Sequence, residues 1–197
     1  MVQISELALA GYFFWTIQDN SKTEKITVEV QQIEVEPEEP SVEEPEETVS
    51  IEIEEEPKID WEALFNQNPD IYGYVYVPGT KVSYPVLQSE QDDYYLTHDA
   101  NKGKSKEGAI YTNHDNTKTF RDAVTVLYGH NMRNGNMFGS LKEFYQEDFY
   151  KEHELIAIYT PEKRLVYQIV TARRHSDAYL YDEYANYNAG GMARKII

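Results

Sequence analysis

A run of glutamates most constrains what this chain can fold into. Residues 29–57 contain 13 Glu and four Pro, and they contain no Lys, Arg or aromatic residue. Like charges repel one another, and the few apolar side chains cannot offset the entropy lost on ordering. Together with the polar stretch before it, this run predicts an extended, disordered linker over residues 21–57. We therefore expect the globular domain to occupy residues 58–197.

The acidity also belongs to this one segment. It carries −13 of the net charge of −17, so the chain after it is close to balanced. Nucleic-acid binding requires a basic face, and neither part of the chain offers one. We therefore expect no nucleic-acid partner.

The first residues contain a short apolar run. Residues 7–17 read LALAGYFFWTI, which is shorter than the roughly 20 residues that a membrane-spanning helix needs. No Lys or Arg precedes the run, so neither the charged n-region of a signal peptide nor the flanking charge of a membrane anchor is complete. We predict that residues 1–20 are the remnant of an N-terminal membrane anchor. A short amphipathic or core-docking helix, or a wrongly assigned start, are the alternatives.

Short apolar segments separated by turn residues dominate the remainder. Asp60 is a candidate N-cap for a short helix over residues 60–66. Two further short helical segments are predicted at residues 92–96 and 138–145. The segments predicted as strands are residues 71–77, 82–87, 109–112, 123–128, 155–159 and 165–172. Many short strands with few helices predict a mainly β fold, either a barrel or a sandwich.

One histidine follows the most apolar of these strands. His130 lies in the run Tyr128-Gly129-His130-Asn131-Met132, which predicts a turn carrying an imidazole. Imidazole titrates near neutrality and can transfer protons during catalysis. A histidine after a strand is nevertheless more often structural than catalytic, so this residue alone does not establish a function.

Other common chemistries are excluded or unsupported. The chain has no cysteine, which excludes disulfides, thiolate metal sites and a cysteine nucleophile among these 197 residues. Three histidines have an acidic residue directly after them, at His98, His114 and His153. Adjacent pairs lack the spacing of metal ligands on one helix face. We predict neither a metal site nor a cofactor.

An ordered set of motifs resembles the class B sortases. The resemblance runs from about Trp61 to about Tyr181. The motifs that carry it are Asn68-Pro69-Asp70-Ile71 with Gly73, Val77-Pro78-Gly79-Thr80, Tyr84-Pro85-Val86 with Gln88, Asp93-Tyr94-Tyr95-Leu96, Gly108-Ala109-Ile110, Tyr128-Gly129-His130-Asn131-Met132, Gly135, Met137-Phe138 and Leu141. Each motif is short, but their joint order is specific to that family.

The resemblance implies a sortase-type β-barrel and a cysteine transpeptidase. Such an enzyme cleaves a C-terminal sorting motif of a secreted protein and joins that protein to an amine of cell-wall peptidoglycan. His130 matches the family's acid/base histidine, and Leu96 and Tyr128 match positions near its substrate groove. The implied location is the extracellular face of a Gram-positive cell membrane, with an N-terminal anchor.

The chain departs from the family in one respect. The family's cysteine and arginine lie farther downstream than the 67 residues that follow His130. The resemblance therefore implies a barrel that is incomplete at its C-terminus, with open sheet edges, and we predict that this chain is inactive. Arg173, Arg174 and Arg194 do not have the sequence context of the family's arginine. A non-catalytic surface binding module and a non-functional gene remnant are the alternatives.

Overall fold

The computed structural model describes residues 12–18, 25–32, 56–122 and 124–175. For residues 12–18, 25–32 and 173–175 it describes the backbone only. The strands are β1 (Tyr12–Gln18), β2 (Lys25–Gln32), β3 (Ile71–Tyr76), β4 (Ser83–Leu87), β5 (Ile110–Tyr111), β6 (Val124–His130), β7 (Leu155–Tyr159) and β8 (Arg164–His175). The helices are α1 (Trp61–Gln67), α2 (Glu147–Glu152) and two 3₁₀ segments, Tyr94–Leu96 and Gly139–Tyr145.

Six strands form one curled sheet in the order β8-β7-β3-β4-β5-β6. Neighbouring strands in this sheet are antiparallel except β4 and β5, which are parallel. The hairpin β1–β2 joins the two ends of the sheet and closes a barrel of eight strands. The prediction of a mainly β, sortase-type barrel with few short helices is confirmed.

The closing hairpin differs from two expectations. The sequence predicted open sheet edges, but β1 pairs in parallel with β6 and β2 pairs antiparallel with β8. Strand β2 also lies inside residues 21–57, which were predicted to be a disordered linker. The physical reason is that the apolar alternation of Ile26-Thr27-Val28 gains a ladder of backbone hydrogen bonds along β8.

Most of the predicted anchor remnant and linker lies outside the described residues, so both assignments otherwise stay predictions. Within residues 1–20, the described part is the strand β1. Among the residues that the structure describes, none of the helices is long and apolar enough to cross a bilayer.

The helix predicted after Asp60 is present as α1. The Asp60 carboxylate accepts a hydrogen bond of 2.9 Å from the backbone N–H of Ala63, as an N-cap should. The segment predicted as a helix over residues 138–145 is instead the 3₁₀ segment Gly139–Tyr145. Short apolar periodicity does not distinguish a three-residue turn from a 3.6-residue turn, so the sequence could not separate the two.

Strand β6 lies between two layers of the hydrophobic core. All seven of its residues are buried. Leu127 packs into the barrel interior with residues such as Val75 and Ile156. On the other face, Val126 and Tyr128 belong to a second cluster. Since side chains alternate along a strand, His130 continues the face of Val126 and Tyr128.

Candidate active site

His130 is the last residue of β6 and is only 6% exposed. The prediction that it lies in a turn is wrong, because β6 extends through residue 130. The strand continues because the backbone N–H of Phe138 donates to the His130 carbonyl oxygen at 3.0 Å. A bridge between Asn131 and Met137 follows directly. His130 is therefore held by sheet backbone on a rigid element.

Among the side chains and backbone groups that the structure describes, the imidazole has one hydrogen-bond partner. Its Nε2 lies 2.7 Å from the backbone carbonyl oxygen of Leu96. A carbonyl oxygen can only accept a hydrogen bond, so Nε2 carries the proton. In the neutral ring, Nδ1 then carries the lone pair, and this nitrogen is the one able to accept a proton.

The Leu96 carbonyl belongs to the 3₁₀ segment Tyr94–Leu96, which is anchored by a polar network. The Tyr95 hydroxyl donates to Asp70 Oδ2 at 2.6 Å and accepts from Asn68 Nδ2 at 2.8 Å. Lys102 Nζ lies 2.9 Å from the same Asp70 oxygen. These contacts tie the segment to the loop between α1 and β3.

The network also shifts the acidity of its members. Partial burial by itself raises the pKa of the Asp70 carboxyl, but the hydrogen bonds from Tyr95 and Lys102 outweigh burial, and the net pKa is lowered. Burial, with the carboxylate of Asp70 as hydrogen-bond acceptor, raises the pKa of the Tyr95 hydroxyl. At neutral pH, a neutral Tyr95 therefore donates to a charged Asp70.

Tyr128 lies two residues before His130 on β6 and belongs to a stacked aromatic pair. It is 8% exposed and stacks on Tyr111, with ring centroids 5.3 Å apart and planes inclined by 24°. The Tyr111 hydroxyl donates to Asp93 Oδ1 at 2.7 Å. Leu96 is half-buried. The structure thus brings Leu96 into hydrogen-bond contact with His130 and places Tyr128 two residues before His130 on the same strand face.

Strand β6 has β5 on one side and β1 on the other. The parallel register pairs residues 12–18 with residues 124–130 one to one, so Gln18 lies opposite His130. Paired residues in adjacent strands share one face of the sheet. Position 18 is therefore the neighbouring-strand position beside the imidazole.

Three other histidines, His98, His114 and His153, have structural environments. His98 stacks on Tyr94 with ring centroids 4.1 Å apart, and His153 stacks on Phe149 at 4.2 Å. His114 pairs with Asp92 at 2.9 Å on the surface. Within the part of the chain that the structure describes, no three acidic, histidine or cysteine side chains converge on a metal position.

Sequence reasoning assigned no site role to Asn68, Tyr95 or Gly108. The first two lie 27 positions apart, and their contact depends on the tertiary fold. Gly108 has a φ of +61°, a backbone conformation that residues other than glycine rarely adopt. A glycine directly before the strand predicted at residues 109–112 was the local signal that could have identified it.

Comparison with known proteins bears on the family. The sortase domain model matches residues 75–189, which is more than half of the 197 residues. The chain belongs to the sortase family. Sortase B of Listeria monocytogenes is 40% identical over 86 residues, which cover 44% of this chain and 35% of that protein.

Two further comparisons concern Staphylococcus aureus. Its sortase B is 28% identical over 128 residues, which cover 64% of this chain and 52% of that protein. A solved sortase B–substrate complex from the same organism has 25% sequence identity and a TM-score of 0.55, covering 69% of this chain and 67% of that chain. The sortase domain described here is of class B, and the chain spans between about a third and about half of the length of the curated relatives it matches.

Proposed function

We propose that this protein is a class B sortase domain in which His130 transfers protons during peptide transfer. The observation that supports this proposal best is the hydrogen bond between His130 Nε2 and the Leu96 carbonyl. It leaves Nδ1 as the nitrogen available for chemistry and orients the ring from a rigid strand. A general base needs both features, a defined orientation and an available lone pair.

The proposed reaction has two halves. A cysteine thiolate attacks the carbonyl carbon of a threonine in the sorting motif, and the tetrahedral intermediate collapses as the C–N bond breaks. The departing amine takes a proton from the His130 imidazolium, and a thioester remains. An amine of the cell-wall peptide then attacks the thioester, loses its proton to His130 and releases the thiolate.

The thiol must come from a cysteine, and these 197 residues contain none. A serine or threonine hydroxyl is a weaker nucleophile than a thiolate and would need an activating base. We therefore propose that these 197 residues do not turn over sorting peptides by themselves. Leu96 and Tyr128 would contact the peptide, because the Leu96 backbone contacts His130 and Tyr128 lies two residues before His130 on the same strand.

The substrate and location follow from the same proposal. A Staphylococcus aureus sortase B has been solved as a substrate complex, which supports a peptide substrate here. The expected partners are a secreted protein with a sorting motif and a cell-wall peptide amine. The expected location is the outer face of a Gram-positive cell membrane, with an anchor at the N-terminus.

An engineered thiol tests the proton-transfer role of His130. Gln18→Cys would introduce the only cysteine of the chain directly opposite His130 in the register. If His130 accepts its proton, iodoacetamide should alkylate this variant at pH 6.5 at least about tenfold faster than the same variant carrying His130→Ala. Ile17→Cys is the matched control, because adjacent strand positions face opposite sides.

The comparison has a clear negative outcome. Equal alkylation rates with and without His130, in variants that retain the wild-type thermal transition, would contradict the proposed role. A rate for Ile17→Cys that depends equally on His130 would show that the effect is not a local proton transfer.

A further inference from the structure

We infer that Tyr95 and Gly108 are positioning residues for His130, acting through the backbone carbonyl of Leu96. This inference deepens the proposed function, since it concerns how the proposed proton-transfer group is oriented. It identifies a neutral carbonyl, held by two other residues, as the group that selects the tautomer of the imidazole. In the Ser-His-Asp triad, a carboxylate has that role.

Tyr95 fixes the segment from inside the fold. Its side chain is 1% exposed, and its ring packs edge-on against Tyr94 at a centroid distance of 5.1 Å. Its hydroxyl bridges Asn68 and Asp70. Because the residue after Tyr95 is Leu96, a hydroxyl bonded at this depth sets the position of the carbonyl that meets His130.

Gly108, which is buried, fixes the same segment through its backbone. A Cβ atom at this position would lie 2.5 Å from the Tyr95 carbonyl oxygen and 2.8 Å from the Leu96 carbonyl oxygen. The backbone N–H of Ala109 donates to the Tyr95 carbonyl at 2.9 Å. Backbone at Gly108 and Ala109 therefore packs directly on both carbonyls, and any side chain at Gly108 would displace the Leu96 oxygen from His130 Nε2.

The arrangement has a chemical consequence. A carbonyl acceptor orients the ring without placing a negative charge against it, whereas an adjacent carboxylate would stabilise the imidazolium strongly. Asp70 is hydrogen-bonded to Tyr95, and the acceptor at His130 Nε2 is the Leu96 carbonyl rather than a carboxylate. His130 is thus held in the Nε2-protonated tautomer, with the lone pair at Nδ1.

The test is a nitrogen NMR experiment on the whole chain with ¹⁵N-labelled histidine. At alkaline pH, where imidazole is neutral, wild-type His130 should show one tautomer with a slowly exchanging Nε2 proton. His130→Gln identifies the signal. Gly108→Ala and the milder Tyr95→Phe should convert it to a mixture of tautomers, with exchange of the Nε2 proton at least about tenfold faster.

Two matched controls separate orientation from general loosening. Gly103 lies in the same loop region, and the atoms nearest to a Cβ there would be Asp99 side-chain atoms at 3.3 Å or more. Gly103→Ala is therefore the first control. Tyr72→Phe removes another tyrosine hydrogen bond, to Thr112 at 2.9 Å, without touching Leu96. Both should keep the wild-type signal.

The result that would overturn the inference is an unchanged His130 signal in folded Gly108→Ala and Tyr95→Phe. An equal change in both controls would overturn it as well. Neither measurement requires a thiol or a peptide, so the inference can fail while the alkylation result stands. Conversely, a single Nε2-protonated tautomer combined with a His130-independent alkylation rate would reject the proposed function alone.

Discussion

At the scale of single residues, the site depends on a chain of hydrogen bonds that runs from the surface to His130. Lys102 contacts Asp70, Asp70 accepts from Tyr95, and the segment carrying Tyr95 presents the Leu96 carbonyl to the imidazole. The outer members are accessible to solvent and the inner ones are buried. Protonation of Asp70 should therefore affect stability modestly, and removal of the inner members should affect the orientation of the imidazole.

Asp70 gives a prediction with a definite sign. Its pKa is lowered in the folded chain, so its charged form stabilises the fold above the ordinary aspartate value of about 4. That contribution is lost as the pH falls through the lowered pKa. We expect thermal stability to decrease below about pH 4 in the wild-type chain and to decrease less steeply in Asp70→Asn. Parallel acid limbs for the two proteins would contradict this role.

Tyr159 gives a second prediction at this scale. It is 9% exposed, and burial raises the pKa of its hydroxyl to about 12. Within the described part of the chain, this hydroxyl has no hydrogen-bond partner. Tyr159→Phe should therefore unfold at the same urea concentration as the wild type or at a higher one. Tyr72→Phe, which loses its bond to Thr112, should lose about 1 kcal/mol.

At the scale of elements, the sequence predicted the parts that local patterns encode. The apolar run of β6 and the N-cap of α1 are examples, since burial and a capping carboxylate leave a signature within a few residues. The contact between Leu96 and His130 joins positions 34 apart, and no local pattern encodes it. The end of β6 was misplaced for a similar reason, because its last residues are held by Phe138 rather than by their own sequence.

The side chain of Asn116 gives β6 backbone hydrogen bonds of the kind that a neighbouring strand would provide. Asn116 is 4% exposed. Its Nδ2 donates to the Val124 carbonyl at 2.6 Å, and its Oδ1 accepts from the Val126 N–H at 2.9 Å. Strand β5 pairs with β6 at one residue, Tyr128. The two Asn116 bonds provide hydrogen-bond partners for β6 nearer its start.

Asn116→Ala should therefore destabilise the fold and loosen β6. Two buried backbone groups would lose their partner, which costs about 1–3 kcal/mol for each unsatisfied group. Urea unfolding gives the total, and amide hydrogen exchange at Val126 should accelerate. Asn101→Ala is the control, because its bond to Gln67 lies on the surface. A loss no larger than that of the control would contradict the strand-like role.

At the scale of the whole molecule, the N-terminal hairpin takes both edges of the six-strand sheet. The sequence did not predict this pairing, because the hairpin is separated from its partners by the glutamate run and pairing over that distance depends on edges that form elsewhere. Strand β1 thereby covers the edge of β6 that would otherwise be open.

An engineered disulfide tests the closure. Gln31 and Gln168 are paired in the register of β2 and β8, and adjacent strands bring paired Cα atoms within disulfide range. Gln31→Cys with Gln168→Cys should oxidise rapidly in this cysteine-free chain and should raise the thermal midpoint. Gln32→Cys with Gln168→Cys is offset by one residue, so its two positions face opposite sides. Equal cross-linking of both pairs would contradict the register.

The most direct measurement asks whether His130 supports peptide transfer when a thiol is present. Residues 58–197, without the hairpin β1–β2, would be extended with the downstream cysteine-bearing segment of a class B sortase and assayed with a fluorogenic sorting peptide. We expect cleavage that His130→Ala lowers at least about 100-fold. Cleavage that persists at the same rate in His130→Ala would contradict the central role proposed for this histidine.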